Sequence, residues 1–479
     1  MFKKIFFMTA MAAAGTFLSV SGVKAAESEE LPAQITISNG GNSGAITDGS
    51  YSTTVNLNTG DTITVKTDTG IKGIYLIWDS PVNEWTLKYN GSETVQGSNG
   101  FLHDYIEFEG EVTEFTIYTD SSNLLADIYC YGEGELPSDV QVWEPECEKA
   151  DILLLSSHAD DEILFFGSIL PEYAGERDLE VQVVYFSQYW TGAKIREHEK
   201  LDGLWHAGVK NYPYTGDFDD WYASSLEQAE NLFGYDKTVE FVVEMLRKFK
   251  PQVTVAQDLN GEYGHGTHML TAKAMTEAIT LCGDASKYPE SAEKYGTHEV
   301  KKTYLHLYGE NKIKLTTREP LESFDGKTAL EVAAESYKYH VSQQWCWFYV
   351  DDEYEYSCAD FGLYYSAVGI DTGNDMMENI VDYKTQDEEL RKQEEESRRQ
   401  EEESKRLEEE SKSREAAIEE SISIAEAKEL KSKEQSKENA LKVIKILVIV
   451  VIVLAVIFGI AVFVLKRKQH KKRRHRKIK

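Results

Sequence analysis

A short apolar run that ends in a cluster of titratable side chains constrains the fold of this chain most. Residues 152–155, Ile-Leu-Leu-Leu, have the length and composition of a buried strand. Two serines follow, and then come His158, Asp160, Asp161 and Glu162. A single predicted strand therefore delivers an imidazole and three carboxylates to one point of the fold.

A second apolar run has the same arrangement further along the chain. Residues 253–256 lead into a glycine-rich segment that contains Tyr263, His265 and His268. If the two runs are neighbouring parallel strands, both clusters lie at their carboxyl ends, where open α/β sheets bind ligands. Because predicted strands and helices alternate through residues 149–383, we expect an α/β, Rossmann-like parallel sheet with right-handed crossovers in this region.

The elements of this α/β region are predicted from apolar periodicity and from helix-ending residues such as Pro251. They are strands at 151–157, 180–187, 252–257 and 303–308, and helices at 161–173, 194–207, 236–249 and 268–281. An acidic, aromatic stretch between them is interpreted as a loop, either solvated or at the rim of a substrate site: Asp217, Asp219, Asp220 and Trp221. Four other histidines are interpreted as structural or surface residues: His198, His206, His298 and His306.

The region before it, residues 34–142, has short alternating segments separated by Gly, Asn, Asp and Ser, which is typical of an all-β sandwich. The predicted strands include 34–37, 62–65, 73–77, 84–89 and 114–118. Residues 45–53, 60–65 and 74–89 resemble discoidin-type, galactose-binding-like jelly rolls. That resemblance implies sugar binding, and a structural spacer is the alternative. Trp78, Trp85 and Tyr89 are predicted to be core residues.

The two ends of the chain predict its compartment. Residues 1–25 have two lysines, an apolar stretch and a Val-Lys-Ala end, as in a secretory signal peptide; an uncleaved anchor is the alternative. Residues 446–465 are 20 uncharged residues, enough for a transmembrane helix of about 30 Å. Residues 466–479 contain ten Lys or Arg and are predicted to stay in the cytoplasm. We therefore expect a single-pass protein with its bulk outside the cell, on a Gram-positive bacterial surface.

Residues 384–440 are predicted to form a charged helical stalk. Tandem copies of a Glu-Glu-Glu-Ser motif place acids four residues before bases. The predicted ion pairs are Glu394 with Arg398, Glu395 with Arg399, and Glu401 with Lys405. Apolar residues are too sparse for a continuous coiled-coil seam, so pairing of chains through a weak coiled coil and disorder remain alternatives.

Charge and cysteine content exclude two classes of protein. A net charge of −31 argues against a nucleic-acid partner for the main body. Five cysteines in 479 residues do not make a disulfide scaffold, and an odd number leaves at least one thiol unpaired within the chain. Cys130 with Cys147 and Cys346 with Cys358 are close enough in sequence to pair, but connectivity stays open.

The two histidine clusters predict a hydrolytic metal site. Such a Zn²⁺ site needs three protein ligands and one open position for water. His158 and Asp161, three residues apart at a strand-to-helix turn, can converge on one ion, and His268 supplies the third ligand. Asp160 is placed to take a proton from water activated by the metal, and His265 to donate to the oxyanion or the leaving amine. Fe²⁺ is an alternative metal. A helix N-terminus is the structural alternative for the acidic triplet.

The same residues carry a family resemblance. The segment 158–162, His-Ala-Asp-Asp-Glu, and the segment 263–268, Tyr-Gly-His-Gly-Thr-His, are similar to the H-P-D-D-E and H-x-x-H blocks of the PIG-L/LmbE-like zinc de-N-acetylases. Weaker blocks lie at 191–209 and 340–343, so the resemblance covers about 150–343. Two departures leave loop geometry and substrate fit open, namely Ala159 for Pro and Gly266-Thr267 for Pro-Asp.

The resemblance also implies roles for individual residues. By it, His158, Asp161 and His268 bind zinc, Asp160 is the general base, His265 and Tyr263 stabilise the tetrahedral intermediate, and Arg196 orients the substrate. We therefore predict a surface-anchored, zinc-dependent enzyme that hydrolyses the acetamide of an N-acetylglucosamine-type glycan to acetate and an amine. The alternatives are a glycan-binding or adhesion protein with an inactive hydrolase-like domain, and a metal hydrolase acting on an ester or phosphate.

Overall fold

A computed structural model describes residues 26–474 of the chain, with side chains described to residue 470. The predicted signal peptide, residues 1–25, and the last five residues of the predicted basic tail lie outside the described residues. The chain divides into two compact units at residue 386. The first unit contains two seven-stranded sheets, and the second is helical.

The N-terminal part of the first unit is rich in β-structure, as predicted. Its strands are β1 (Ala33–Ile37), β2 (Val55–Leu57), β3 (Thr62–Trp78), β4 (Trp85–Tyr89), β5 (Ser92–Gln96), β6 (His103–Thr119) and β7 (Asn123–Tyr131). They pair in the order β2-β7-β3-β6-β4-β5, and β1 pairs with β3. Trp78 and Trp85 are 1% and 0% exposed, which confirms them as core residues. The jelly-roll assignment stays a prediction.

One prediction for this sheet is wrong in detail. The segments 62–65 and 73–77 are not separate strands but parts of the 17-residue strand β3. The register with β6 shifts between Lys66 and Gly73, so the extra residues form an irregularity within the ladder. Such bulges bend a strand without ending it, which explains why turn-like residues at 68–70 did not mark a strand boundary.

The α/β part of the first unit supplies the second sheet. Its strands are β8 (Ile152–Ser156), β9 (Val181–Gln188), β10 (Tyr214–Asp219), β11 (Val253–Ala256), β12 (Lys302–His306), β13 (Lys312–Lys314) and β14 (Asp360–Ser366). Its α-helices are α1 (Asp161–Leu164), α2 (Ile195–His206), α3 (Leu226–Phe233), α4 (Tyr235–Phe249), α5 (Gly266–Leu281), α6 (Pro289–Tyr295) and α7 (Ala329–Ser336). A π-helix covers Leu170–Glu176, and short 3₁₀ helices include Glu262–Gly264, Tyr337–Tyr339 and Val341–Gln343.

The topology of the second sheet confirms the premise behind the predicted site. The strand order is β10-β9-β8-β11-β12-β14-β13. The first five strands are parallel, and β14 and β13 add an antiparallel edge. Strands β8 and β11 are direct neighbours, with Val253 opposite Ile152. Because the chain leaves β8 for β9 on one side and later enters β11 on the other, the order reverses between β8 and β11, the position at which such sheets bind ligands.

Both faces of strand β8 are buried. Ile152 and Leu154 pack into one apolar cluster, whereas Leu153 and Leu155 pack into another that includes helices α4 and α5. This alternation is the two-residue period of a strand covered on both sides. A strand buried on both faces must be apolar throughout, which is why the run was recognisable in the sequence.

Two predictions in the α/β part are wrong. The predicted helix 161–173 breaks after Leu164 and resumes as the π-helix. Pro171 has no N–H to donate and clashes with the carbonyl four residues earlier, so an uninterrupted α-helix through it is disfavoured. The acidic stretch 217–219 is not a loop but the end of β10, which pairs with β9 at the edge of the sheet.

The second unit is described by a single helix. Helix α8 (Tyr383–Arg474) covers both the predicted stalk and the predicted membrane segment without a break. Two of the predicted ion pairs are confirmed, Glu395 with Arg399 at 4.0 Å and Glu401 with Lys405 at 2.7 Å. Glu394 and Arg398 do not pair among the described side chains. By length and composition the apolar part of α8 could cross a membrane, and α8 is the one helix within residues 26–474 of which this holds.

Candidate metal centre and catalytic cavity

The three predicted metal ligands meet at the carboxyl ends of β8 and β11. His158 Nδ1 lies 3.0 Å from Asp161 Oδ2 and 3.1 Å from His268 Nε2. His268 Nε2 lies 3.2 Å from Asp161 Oδ2. All three side chains are buried. His158 and His268 are 110 residues apart in the sequence. Two distant segments therefore place three ligand atoms at the corners of one small triangle.

The size of this triangle fits a divalent cation. At Zn–N and Zn–O distances of about 2.0–2.1 Å, the ligand atoms of a tetrahedral site lie roughly 3.3–3.4 Å apart. The observed edges of 3.0–3.2 Å are slightly shorter than this. Imidazole nitrogen and carboxylate oxygen are also the donors that Zn²⁺ prefers in hydrolytic sites. The donor set thus fits the predicted metal, and a small outward movement of each side chain would accommodate it.

A wider cluster adds one histidine to the set. Ligand atoms of His158, His265 and His268 all lie within 4.8 Å of one another. His265 Nδ1 accepts a hydrogen bond from Thr267 N at 3.2 Å, so its proton lies on Nε2. Burial, together with the neighbouring His158 and His268, lowers the pKa of His265 to about 2. His265 is therefore a neutral imidazole with a hydrogen-bond donor to offer.

A buried carboxylate orients His268. Glu262 Oε2 accepts the Nδ1–H of His268 at 2.7 Å, and Nε2 of the same ring faces Asp161 Oδ2 at 3.2 Å. The other oxygen, Oε1, lies 2.6 Å from His306 Nδ1, and His306 Nε2 lies 2.8 Å from the carbonyl oxygen of Ser357. Burial acts to raise the pKa of Glu262, but its bonds to His268 and His306 lower that pKa to about 2. This is the carboxylate–histidine arrangement that fixes the tautomer of a metal-binding imidazole.

Asp161 is held in place by two further donors. Its Oδ2 accepts hydrogen bonds from His158 N and from Gln257 Nε2, both at 2.9 Å. Burial acts to raise the pKa of Asp161, but the adjacent His268 and His158 hold it well below its usual range. Asp161 is consequently ionised, and its position is fixed by the backbone N–H of His158 and by the side chain of Gln257, the residue that follows β11.

Asp160 occupies a strained backbone position beside these ligands. Its φ is 108°, in the region that residues other than glycine rarely adopt. The backbone N–H of Asp160 donates to Glu162 Oε2 at 2.7 Å, and Glu162 Oε1 lies 2.8 Å from His340 Nε2. Glu162 and His340 are fully buried. This buried pair stabilises the turn. Asp160 and Asp161, although consecutive, therefore face different partners: Asp160 faces Arg196, and Asp161 faces His158 and His268.

The side chain of Asp160 faces Arg196. Arg196 Nη2 donates to Asp160 Oδ1 at 3.1 Å and to the carbonyl oxygen of Ala159, and Nη1 donates to Asp220 Oδ2 at 3.3 Å. The guanidinium also lies over the ring of Tyr189, 4.3 Å from its centroid. Burial raises the pKa of Asp160 to about 7, against the opposing charge of Arg196. Arg196 is thus held at the site by two carboxylates and an aromatic ring.

A cavity of about 320 Å³ brings most of the predicted site residues together. The predicted residues that line it are His158, Asp160, Asp161, Arg196, Tyr263 and His265. Half of the other eight lining residues are aromatic, namely Phe165, Tyr222, Trp345 and Phe348. His268 is fully buried behind this lining and reaches the site through its Nε2 atom. The structure therefore brings together all seven residues selected from the sequence.

The two weaker sequence blocks also meet. Ser342 donates to both oxygens of Glu199, through its backbone N–H and through its hydroxyl, each at 2.6 Å. These contacts attach the segment that carries His340 to helix α2, which carries Arg196. Each block also contributes one residue to the lining of the cavity, Arg196 and Gln343.

Two residues of the site were missed in the sequence. Glu262 lies directly before Tyr263 in the second cluster but was given no role, and His306 was interpreted as structural or surface although it contacts Glu262 directly. His306 belongs to β12, the strand next to β11. Only the pairing of β11 with β12 brings it to the site. The sequence did contain one signal for His306. It is close to the end of a predicted buried strand, so it should lie at the same edge of the sheet as the clusters that follow β8 and β11.

The donor triangle, the adjacent carboxylate and the cavity are the parts that a hydrolytic metal site requires. Residues 153–279 match the family model PIG-L, described as GlcNAc-PI de-N-acetylase. The chain therefore carries a PIG-L family domain over these residues, which confirms the resemblance for that part of the predicted range. The discoidin-like resemblance of the N-terminal region stays a prediction.

Individual relatives also match part of this chain. The 1D-myo-inositol 2-acetamido-2-deoxy-alpha-D-glucopyranoside deacetylase of Rhodococcus erythropolis is 27% identical over 171 residues, which cover 30% of this chain and 58% of that protein. The mycothiol S-conjugate amidase of Streptomyces coelicolor is 42% identical over 62 residues, 13% of this chain and 20% of that protein. The chain thus spans less than two thirds of the length of these curated relatives.

A solved structure also aligns with this chain. It is the N,N'-diacetylchitobiose deacetylase from Pyrococcus horikoshii in complex with an inhibitor, with 18% sequence identity and a TM-score of 0.32. The alignment covers 40% of this chain and 71% of that one.

Proposed function

We propose that this protein is a metal-dependent de-N-acetylase that hydrolyses the acetamide of an N-acetylated amino sugar to acetate and a free amine. One observation carries the proposal: His158, Asp161 and His268 hold three donor atoms 3.0–3.2 Å apart beside an unligated carboxylate, Asp160. The curated relatives of the PIG-L domain include enzymes named as deacetylases of a 2-acetamido-2-deoxy sugar, which supports this substrate class.

The proposed metal is Zn²⁺, with Fe²⁺ as an alternative. His158, Asp161 and His268 would hold it. When bound, the cation would supply Lewis-acid activation of water and of the acetyl carbonyl. The donor atoms and the size of their triangle support this assignment, and so does Glu262, which leaves Nε2 of His268 free to bind.

The remaining residues have proposed roles in proton transfer and charge stabilisation. Asp160 takes the proton from the attacking water and returns it to the leaving nitrogen. Neutral His265 and Tyr263 donate hydrogen bonds to the oxyanion that develops on the acetyl oxygen. Burial, and then the carboxylates of Asp161 and Asp160, raise the pKa of Tyr263, so its phenol stays protonated and able to donate. Arg196 holds Asp160 in place from one side of the cavity.

Removal of the metal tests this proposal. Dialysis of the full chain against a chelator is expected to abolish acetate release from N-acetylglucosamine oligomers, and added Zn²⁺ or Fe²⁺ is expected to restore it. Mg²⁺ at the same concentration serves as the control, because it disfavours imidazole ligands. The adhesion-protein alternative predicts no acetate under any loading condition, and acetate release that survives complete metal removal would contradict the proposed mechanism.

Glu262 provides a second test. Glu262→Gln removes the charge behind His268, and we expect metal affinity to fall by about 10- to 100-fold, as for other outer partners of metal-binding histidines. Metal affinity is measured by competition with a chromophoric chelator. Asp371→Asn is the matched control, because the side chain of Asp371 is also buried (1% exposed) but pairs with Lys302 at the amino end of β12, away from the site. Equal losses of affinity in both variants would mean that the Glu262 effect is general destabilisation.

The proposed location is a membrane surface. The apolar part of helix α8 would anchor the protein, with the predicted signal peptide directing residues 26–386 outside the cell and the basic segment remaining in the cytoplasm. Protease treatment of intact cells tests this orientation, since residues 26–386 should be cleaved while an epitope after residue 466 is protected. Association of chains through the stalk remains a prediction.

A further inference from the structure

Exposed aromatic side chains surround the mouth of the catalytic cavity on two separate segments. Trp221 and Tyr222 are 58% and 66% exposed, and Trp345 and Trp347 are 81% and 60% exposed. We call these four residues the aromatic rim. Single exposed apolar side chains are common on protein surfaces, but a group of large exposed aromatic side chains beside a cavity marks a binding surface.

The aromatic rim is connected to His265 and Tyr263 in the cavity by two series of ring-to-ring contacts. On one side the ring of Tyr222 lies 5.0 Å from that of His265. On the other, Tyr263 lies 4.6 Å from Phe348, which lies 4.1 Å from Trp347. Tyr222 and Trp345 also line the cavity itself. An extended ligand centred on the cavity would therefore meet aromatic faces in both directions.

The charge around the aromatic rim restricts what that ligand can be. Segments 217–222 and 341–359 together contain seven carboxylates and no lysine or arginine. Arg196 pairs with Asp220, and Arg318 pairs with Asp352 and Glu353, so seven carboxylates and two guanidinium groups leave a net excess of five negative charges. Such a surface repels an anionic glycan and an anionic lipid headgroup, whereas it attracts an uncharged or cationic partner. A membrane-facing role for the tryptophans is disfavoured for the same reason, since surfaces that bind anionic lipid carry basic residues.

Sugar rings match this combination of aromatic and acidic groups. A pyranose presents C–H groups on its faces, which pack on aromatic rings, and hydroxyl groups at its edge, which donate to carboxylates. We propose that the aromatic rim binds sugar residues on both sides of the one that is hydrolysed, so that the substrate is an uncharged or cationic chain of N-acetylated amino sugars. This inference rests on the proposed function. Trp345 and Trp347 lie outside the matched family region, 153–279, so the recognition would be a property of this chain.

Chain-length dependence of the rate tests the proposal. For the full-length protein in detergent, kcat/KM for acetate release should rise from N-acetylglucosamine to its hexamer. Trp347→Ala should lower kcat/KM for the hexamer by about 3- to 10-fold, the range of one aromatic contact, and leave the single sugar unchanged. Trp345→Ala also removes part of the cavity wall, so it should lower kcat/KM for both substrates, and for the hexamer more than for the single sugar. Oligomers in which N-acetylglucosamine alternates with a uronic acid should be poor substrates.

Tyr365→Ala is the matched control. Tyr365 is 42% exposed but pairs with Thr303 near the amino end of β12, whereas the site lies at the carboxyl ends of the strands. This variant should hydrolyse every oligomer like the wild type. An equal loss in Tyr365→Ala and Trp347→Ala would overturn the assignment of the effect to the aromatic rim.

A binding measurement separates failure of this inference from failure of the proposed function. Quenching of tryptophan fluorescence by the hexamer is measured in the Asp160→Asn background, where turnover is not needed. Rim-dependent binding without acetate release from any oligomer would overturn the proposed function and support glycan recognition by the aromatic rim. Acetate release that is independent of chain length in wild type and variants would support the function and overturn this inference. A third outcome is that the rim variants hydrolyse the oligomers like the wild type but lose a fluorescence shift that the wild type shows on phosphatidylglycerol nanodiscs. That result would mean that the aromatic rim binds lipid, and it would also overturn this inference.

Discussion

Asp160→Asn is expected to lower kcat for acetate release by about 10²- to 10⁴-fold, the usual contribution of a general base, while the bound metal is retained. Asparagine has the shape of aspartate and tolerates a positive φ, so the strained turn at 108° should persist. The variant keeps an oxygen for Arg196 but cannot accept a proton from water. The measurements are acetate release at saturating substrate and metal content per chain.

Asp220→Asn is the control for this variant. Asp220 and Asp160 both accept hydrogen bonds from Arg196, at 3.3 and 3.1 Å, and both line the cavity. Asp220 Oδ1 also lies 3.7 Å from Nε2 of the proposed ligand His158, so both variants are compared at saturating metal. Under that condition we expect Asp220→Asn to lower kcat by less than about tenfold, because it removes support for Arg196 but no proton acceptor. If the two variants lose activity equally, the role of Asp160 is to hold Arg196, and another group is the base. Retained turnover in Asp160→Asn would contradict the assignment outright.

The second large effect is expected for Asp161→Asn. This change keeps the size of the side chain but replaces a negatively charged donor to the metal with a neutral one. Loss of a direct ligand should weaken binding by more than the approximately 100-fold that outer partners reach, and acetate release should fall to background. Metal content after gel filtration and acetate release in stoichiometric Zn²⁺ are the measurements.

His265→Gln distinguishes the two ligand sets that the geometry allows. His265 lies in the wider cluster with His158 and His268, so it competes with Asp161 for the third ligand position. We expect His265→Gln to keep its metal and to lose rate, because His265 is assigned a hydrogen bond to the oxyanion. The opposite pattern, with metal lost in His265→Gln and retained in Asp161→Asn, would make the site a three-histidine centre.

The position of the site was predictable because burial and spacing agree in strands β8 and β11. Each strand is buried at every position and mostly apolar, since both faces are covered, and each is followed by a short glycine-, serine- or aspartate-containing turn that carries the ligands. His158 and Asp161, three residues apart, needed only that local turn to converge. His268 reaches the site because β8 pairs with β11. That pairing could be expected, since strands of parallel sheets are buried on both faces and therefore mostly apolar.

The parts that were not predictable depend on contacts between distant segments. Glu262 acquires its function from His268 and His306, which lie on different elements, and no spacing within the sequence connects them. The aromatic rim joins residues 221–222 with residues 345–347 across the cavity. The end of strand β10 was interpreted as a loop because it is rich in aspartate, which strands usually lack. It forms an edge strand by pairing with β9, and its own composition does not predict that pairing.

A zinc-loaded crystal of the protein would test the central claim most directly, through an anomalous difference map collected on either side of the zinc absorption edge. We predict one strong peak per chain, within about 2.0–2.2 Å of His158 Nδ1, Asp161 Oδ2 and His268 Nε2. A peak bound elsewhere, or no peak among these three atoms in crystals grown with excess Zn²⁺, would contradict the assignment of a hydrolytic metal centre to this cavity.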